Sequence, residues 1–177
     1  MIHDLTDHLS KQVKLLPGGT AKIRVFEVSK DGKQQKEFTG SEMIGNLPEF
    51  VDLYAEEIPR EELEADDADK VISVFHFSRE VSRTHGVPFR FVVKPNEKFS
   101  ETKKRLQARI GVTDKEFTKY RFALIQAATF KQPSYIEDED TIYDHKFAPE
   151  DVLGLDHLDK SGKTRTGGAE KAIVIRG

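Results

Sequence analysis

Eight carboxylates crowd into the fourteen residues 56–69, against a single cation, Arg60. Like charges this dense resist packing and belong on a solvated segment. A domain boundary or hinge is expected there. The charge balance turns over at the same place. Residues 1–69 carry 8 basic and 16 acidic side chains, net −8, and residues 70–177 carry 20 and 15, net +5; the whole chain of 177 residues stands at −3. Pieces of about 70 and 105 residues fit two small domains.

The same arithmetic narrows the classes of function. A sequence pI near 6.1 argues against a dedicated nucleic-acid binder, whose domains carry strong basic excess. Cysteine is absent, which excludes disulfides, thiolate metal sites, Fe–S clusters and a cysteine nucleophile within this chain. No apolar run approaches the ~18 residues of a membrane helix, and residues 1–16 are too polar for a signal peptide. The expectation is a soluble intracellular protein with no nucleic-acid or membrane partner.

In the first piece, residues 3–15 read as a helix, because Leu5, Leu9, Val13 and Leu16 recur at helical spacing with Asp4 and Asp7 early and Lys11 and Lys14 late. Pro17-Gly18-Gly19 ends it. Residues 22–29 alternate as a strand, Asp31-Gly32 signals a turn, and residues 37–38 and 52–58 read as short strands with 43–47 between them. The apolar set is thin for an independent core.

The second piece is richer. In residues 70–78, Val71, Ser73, Phe75 and Phe77 share one face and Ile72, Val74 and His76 the other. Residues 89–94 read as the next strand, with Thr84-His85-Gly86-Val87-Pro88 as the hairpin turn between the two. A helix capped by Ser100 follows, with Glu101 in its first turn, and Gly111 stops it. Residues 114–119 read as a helical turn, 120–127 as a strand, and 141–147 and 153–157 as short later elements. The predicted core is Phe75, Phe77, Phe89, Phe91, Leu106, Ile110, Phe122 and Leu124. Strand, hairpin, strand, helix, strand and short strands form the order of a ubiquitin-like β-grasp. The first piece repeats that order without the opening hairpin. The predicted fold class is therefore α+β, two ubiquitin-like β-grasp domains in tandem, the first lacking its N-terminal hairpin, with Met1 as a boundary rather than a natural start. The domains run over 1–69 and 70–158, and a tail over 159–177.

Few constellations carry chemistry. Gly162-Lys163-Thr164 resembles the end of a phosphate loop, but that motif needs glycine where His157 stands. Gly167-Gly168 is followed by nine more residues and reads as a hinge. Glu137-Asp138-Glu139-Asp140 with Asp144 lacks the calcium-loop pattern and reads as a solvated acidic turn, or a contact for a basic partner. His3, His8, His76, His85, His145 and His157 show no metal-ligand spacing. No Gly-x-Ser-x-Gly elbow occurs. Residues 94–121 hold nine basic and four acidic side chains, either the solvated face of a helix or a docking face for an acidic protein. No catalytic, cofactor-binding or metal-binding residue is assigned, and no cofactor.

Several consecutive motifs resemble one family. Val74-Phe75-His76-Phe77-Ser78-Arg79-Glu80, Thr84-His85-Gly86-Val87-Pro88-Phe89, residues 97–107, Lys115-Glu116-Phe117-Thr118-Lys119-Tyr120-Arg121-Phe122-Ala123, Tyr135-Ile136, Leu153-Gly154-Leu155-Asp156-His157 and Glu170-Lys171-Ala172-Ile173 resemble the last ubiquitin-like domain of the herpesvirus-associated ubiquitin-specific protease family, its fungal members above all. Residues 22–28 and Glu56-Glu57-Ile58-Pro59 match more weakly, as the domain before it. The resemblance implies a non-catalytic regulatory region of a deubiquitinating thiol protease, located in nucleus and cytoplasm. It folds back on the catalytic domain of the same polypeptide, with other ubiquitin-pathway proteins as further partners.

The tail suits such a role. Residues 159–168 have linker composition, and residues 160–177 hold five basic side chains and one acidic one. Lys171, Ala172, Ile173, Val174 and Ile175 form a β-prone peptide able to dock on a groove or sheet edge. Ile173 and Ile175 fit the family's paired isoleucines. Sequence composition alone favours the last strand of the second domain's own sheet; the resemblance favours docking on the catalytic domain. A free-standing ubiquitin-like adaptor is the alternative of a different class.

Overall fold

The structure is a computed structural model that describes residues 1–15, 17–29, 34–47, 52–129, 132–160 and 172–175, with 34, 35 and 172–175 as backbone. It divides into two compact units, Met1–Glu64 joined by the C-terminal strand, and Ala65–Glu170.

In the first unit, β1 (Ile23–Val28) lies between β2 (Gln34–Phe38) and β3 (Leu53–Glu57), antiparallel to both. Helix α1 (Ile2–Gln12) brings Ile2, Leu5 and Leu9 onto one face of this sheet, against Val25, Phe38, Leu53 and Ala55. The helix stops earlier than its leucine spacing suggests, since Val13 is already extended at φ −103°, ψ 136°. Alternation along β1 sends Arg24 and Phe26 to the opposite face, where both are buried. Arg24 Nε donates to Glu56 Oε1 at 2.6 Å, and its two terminal nitrogens donate to Glu62 at 2.5 and 2.7 Å. Glu62 is carried by the short helix α2 (Arg60–Leu63). The acidic run is therefore not wholly solvated: Glu56 is 4% exposed, because Arg24 supplies its counter-charge. Burial opposes the Arg24 charge, but hydrogen bonds to Glu62 and Glu56 and their fields outweigh it and hold the guanidinium above its usual value.

The second unit holds β4 (Lys70–Ser78), β5 (Glu80–Val93), α3 (Phe99–Ile110), α4 (Asp114–Phe117), β6 (Arg121–Ile125), β7 (Pro133–Tyr135) and β8 (Val152–Asp156). The sheet order is β5-β4-β8-β6-β7, with β4 and β8 parallel and the other pairs antiparallel. This is the β-grasp arrangement.

Three expectations are corrected. The β4–β5 turn sits at Arg79, at φ +65°, with Ser78 opposite Glu80. The Thr84–Pro88 stretch is not a turn but lies within β5. The register passes from His76↔His85 to Val74↔Phe89, so residues 86–88 bulge opposite Phe75, and Gly86 at φ +64° makes the kink. The core is two clusters. Ile72, Val74, Phe89, Phe91, Val93, Phe99, Leu106, Phe122, Leu153 and Leu155 pack on one sheet face, whereas Phe75 and Phe77 pack with Ala123, Ile125 and Val152 on the other. Ile110 only borders the first cluster, partly buried. Finally, Lys98 rather than Ser100 precedes α3, and the Ser100 amide donates to Asp138 O at 3.0 Å while Phe99 donates to Asp140 O at 2.8 Å. Backbone carbonyls of the acidic turn, not a side chain, satisfy the open helix end.

The first unit repeats that device. Ile2 N donates to Glu42 O at 2.9 Å and His3 N to Gly40 O at 3.0 Å. In each unit the first helical residue is fully buried, Ile2 at 1% and Phe99 at 0% exposure. In each the two accepting carbonyls lie two residues apart in the loop after the fourth strand of a grasp, and a 3-10 turn follows, Ile44–Asn46 in one and Ile142–Asp144 in the other. Helix α1 with β1, β2 and β3 thus corresponds to α3 with β6, β7 and β8.

Candidate functional site

Of the five residues assigned to docking, Lys171 lies outside the described residues. Ala172, Ile173, Val174 and Ile175 form β9 (Ala172–Ile175), which joins the first unit's sheet, giving the order β2-β1-β3-β9. Composition points to the second unit's sheet, but the described strands of that sheet run only from β5 to β7. β9 runs antiparallel to β3, with Leu53↔Ile175, Tyr54↔Val174, Ala55↔Ile173 and Glu56↔Ala172 in register. Leu53 and Ala55 belong to the core beneath α1, whereas Tyr54 stacks on Phe26 on the opposite face, ring centroids 5.9 Å apart. The isoleucines thus occupy the register positions of the core residues, and Ala172 and Val174 those of the other face.

The acceptor strand β3 is what sequence reasoning missed. Its signal was present in the element order: a grasp without its opening hairpin leaves the edge of its last strand open. In the second unit β4 fills the corresponding edge, pairing with β8 from Ser73↔Val152 to Phe77↔Asp156.

The structure gathers three histidines that the sequence keeps apart. His76 on β4, His85 on β5 and His157 just past β8 meet, with His76 Nδ1 2.8 Å from His157 Nε2 and His85 Nε2 3.0 Å from His157 O. His157 also stacks on Tyr120 at 3.8 Å between centroids. Burial first, then the fields of His157 and His85, pushes His76 down to about 3. Burial and then His85 push His157 down to about 4. Both rings are neutral at ordinary pH and serve packing and hydrogen bonding. Among the described residues, no group of three or more His, Asp or Glu side chains is placed to hold a metal.

The charged motifs are largely engaged within the second unit. Lys98 meets Glu139 at 2.5 Å and Lys103 meets Asp138 at 2.6 Å, so the acidic turn serves α3. Arg105 pairs with Glu97 and donates to Val92 O at 2.9 Å. The glycine motifs at 162–164 and 167–168 lie outside the described residues.

A helix crossing one face of a sheet in the order β5-β4-β8-β6-β7 defines a ubiquitin-like β-grasp, and the first unit carries its helix and last three strands again. The family is settled by comparison with known proteins. The model of the ubiquitin-specific protease C-terminal family matches residues 1–162, and the chain belongs to that family. The chain is 34% identical over 179 residues to ubiquitin carboxyl-terminal hydrolase 15 of Schizosaccharomyces pombe, covering 99% of this chain and 16% of that protein. It is 33% identical over 175 residues to ubiquitin C-terminal hydrolase 12 of Arabidopsis thaliana, covering 92% and 15%. It is 31% identical over 123 residues to ubiquitin carboxyl-terminal hydrolase 7 of Drosophila melanogaster, covering 68% and 11%. The chain thus spans about a sixth or less of the length of these relatives.

Proposed function

We propose that this chain is the non-catalytic regulatory region of a deubiquitinating thiol protease, and that residues 171–175 bind and activate the catalytic domain of the same polypeptide. Membership of the ubiquitin-specific protease C-terminal family carries the reading. Three further points support it. The relatives are ubiquitin hydrolases of which the chain matches only a small part. The chain has no cysteine to act as a thiol nucleophile. Its C-terminal segment forms a strand at a sheet edge, the form in which extended peptides are commonly recognised.

The test adds the chain in trans to the isolated catalytic domain of its parent and follows cleavage of a fluorogenic ubiquitin substrate. The chain alone gives no cleavage, and the catalytic domain with the chain cleaves faster than without it. Equal rates with and without the chain would refute activation. Cleavage by the chain alone would refute the non-catalytic assignment.

A further inference from the structure

We infer that the outer edge of β3 is a strand-acceptor site for residues 172–175, and that a tail held there is withheld from any other surface that needs Ile173 and Ile175. The second half rests on the proposed activation of a catalytic domain by the tail; the first half stands without it.

The two units make the case by comparison. The edge of β8 is filled by β4, a nine-residue strand that is itself paired on its far side with β5. The corresponding edge of β3 is filled by β9, four residues long, which pairs among the described residues with β3 alone. The polarity is reversed as well: β4 runs parallel to β8, and β9 antiparallel to β3. A sheet edge presents backbone donors and acceptors that can pair with a strand of either direction. The edge of β3 is thus a general acceptor, and β9 is a short occupant of it.

Register makes the occupancy exclusive. Ile173 and Ile175 stand opposite Ala55 and Leu53, the two β3 residues of the core beneath α1. Those same isoleucines are the ones the docking assignment needs. Charge favours capture. Residues 160–177 hold five basic and one acidic side chain, whereas residues 1–69 are net −8. Opposite charge raises the local concentration of a tethered peptide, an effect screened beyond about 8–10 Å at physiological salt.

The absence of cysteine permits a clean test on the full chain. Ala55→Cys with Ile173→Cys places two thiols at a register pair, and Tyr54→Cys with Val174→Cys places them at the neighbouring one. Adjacent antiparallel pairs alternate between two Cα spacings, both within the range a disulfide spans. Under mild oxidant in dilute solution, at least one variant should form an intramolecular crosslink tenfold or more faster in native buffer than in guanidinium, read by mass spectrometry. Native rates no faster than denatured ones in both variants would overturn the acceptor site.

The Tyr54→Cys/Val174→Cys chain, which keeps both isoleucines, is then compared crosslinked and reduced as an activator of the catalytic domain, with the unsubstituted chain carried through the same treatments. The locked form should stimulate at least tenfold less. Equal stimulation by locked and reduced forms would overturn the withholding. If the unsubstituted chain gives no stimulation, the activation reading and the withholding built on it both fall, while the crosslink rates still decide the acceptor site.

Discussion

Gly154→Ala should destabilise the second unit, against the usual effect of removing a glycine. Gly154 lies mid-strand in β8, opposite Phe75 on one side and Ala123 on the other. A Cβ built there would lie 2.6 Å from Phe77 Cε1, 3.1 Å from Phe77 Cδ1 and 3.2 Å from Ile125 Cγ1. Neither neighbour has room to yield, since Phe77 is 0% and Ile125 1% exposed. At a site that tolerates the side chain, Gly→Ala gains about 0.4–1 kcal/mol by restricting the unfolded chain. Overpacking a filled core typically costs about 1–3 kcal/mol. The clash wins, and the net loss is on the order of 1 kcal/mol. For a unit of this size that lowers Tm by roughly 4–8 °C.

The assay is urea and thermal unfolding of the parent chain, Gly154→Ala, Phe77→Leu and the double variant. Phe77→Leu removes ring atoms where the new methyl needs space, so it should cost less in the Gly154→Ala background than in the parent. Contacting residues typically couple by about 0.5–3 kcal/mol. A Gly154→Ala chain as stable as the parent, or strict additivity of the two changes, would refute the packing argument.

Three other outcomes follow from the same geometry. The folded chain holds His76 and His157 neutral far below the ordinary imidazole value, so the unfolded state takes up protons that the folded state refuses. That stability is present above pH ~6.5 and is lost as pH falls toward 4, by about 1.4 kcal/mol per pH unit for His76. Urea midpoints at pH 7, 6 and 5 should therefore fall, and flatten in His76→Leu; a level series across that window contradicts the assignment. Arg24→Met leaves Glu56 buried without its counter-charge and should cost about 3–5 kcal/mol, with Arg24→Met/Glu56→Leu recovering part of it; chemical denaturation distinguishes the two. Ile173→Ser/Ile175→Ser should weaken activation of the catalytic domain by about a hundredfold or more, since burying each isoleucine supplies about 1.5–3 kcal/mol before ordering; titrated stimulation of ubiquitin-substrate cleavage reads it, and undiminished stimulation contradicts the assignment.

Alternation made β4 legible down to the residue, but not which face meets the helix. Phe75 and Phe77 are the larger apolar pair, yet Ile72 and Val74 lie with α3's Phe99 and Leu106. From Ile72 to Phe77 both faces of that strand carry buried side chains, and period-2 patterning cannot rank two such faces. The hairpin misled for a related reason. Gly86 and Pro88 carry strong turn chemistry, which the fold uses for a bulge, while the actual turn rests on Arg79 in a left-handed conformation that an arginine does not advertise. The Ser100 cap was a sound local expectation, displaced by carbonyls of Asp138 and Asp140 that arrive from forty residues away. In the tail, Ile173-Val174-Ile175 reads as a strand from sequence alone. Its partner does not, because an edge accepts a strand by backbone pairing and leaves little trace in side-chain pattern.

The contrast between β4 and β9 bears on the proposed release of the tail. β4 contributes Ile72 and Val74 to one core and Phe75 and Phe77 to another, and pairs on both sides. β9 has four residues and one described neighbour. Its ladder gains about 0.5–1.5 kcal/mol per hydrogen bond, and full burial of two isoleucines would add about 1.5–3 kcal/mol each. Ordering four backbone residues costs about 1–2 kcal/mol apiece. The gains and the ordering cost are of similar size, so four residues on one ladder are held far less firmly than β4. Covalent attachment makes capture of the tail an intramolecular event, favoured over that of a free peptide. A surface that offers the tail a second ladder or a deeper apolar pocket would compete with β3 on favourable terms.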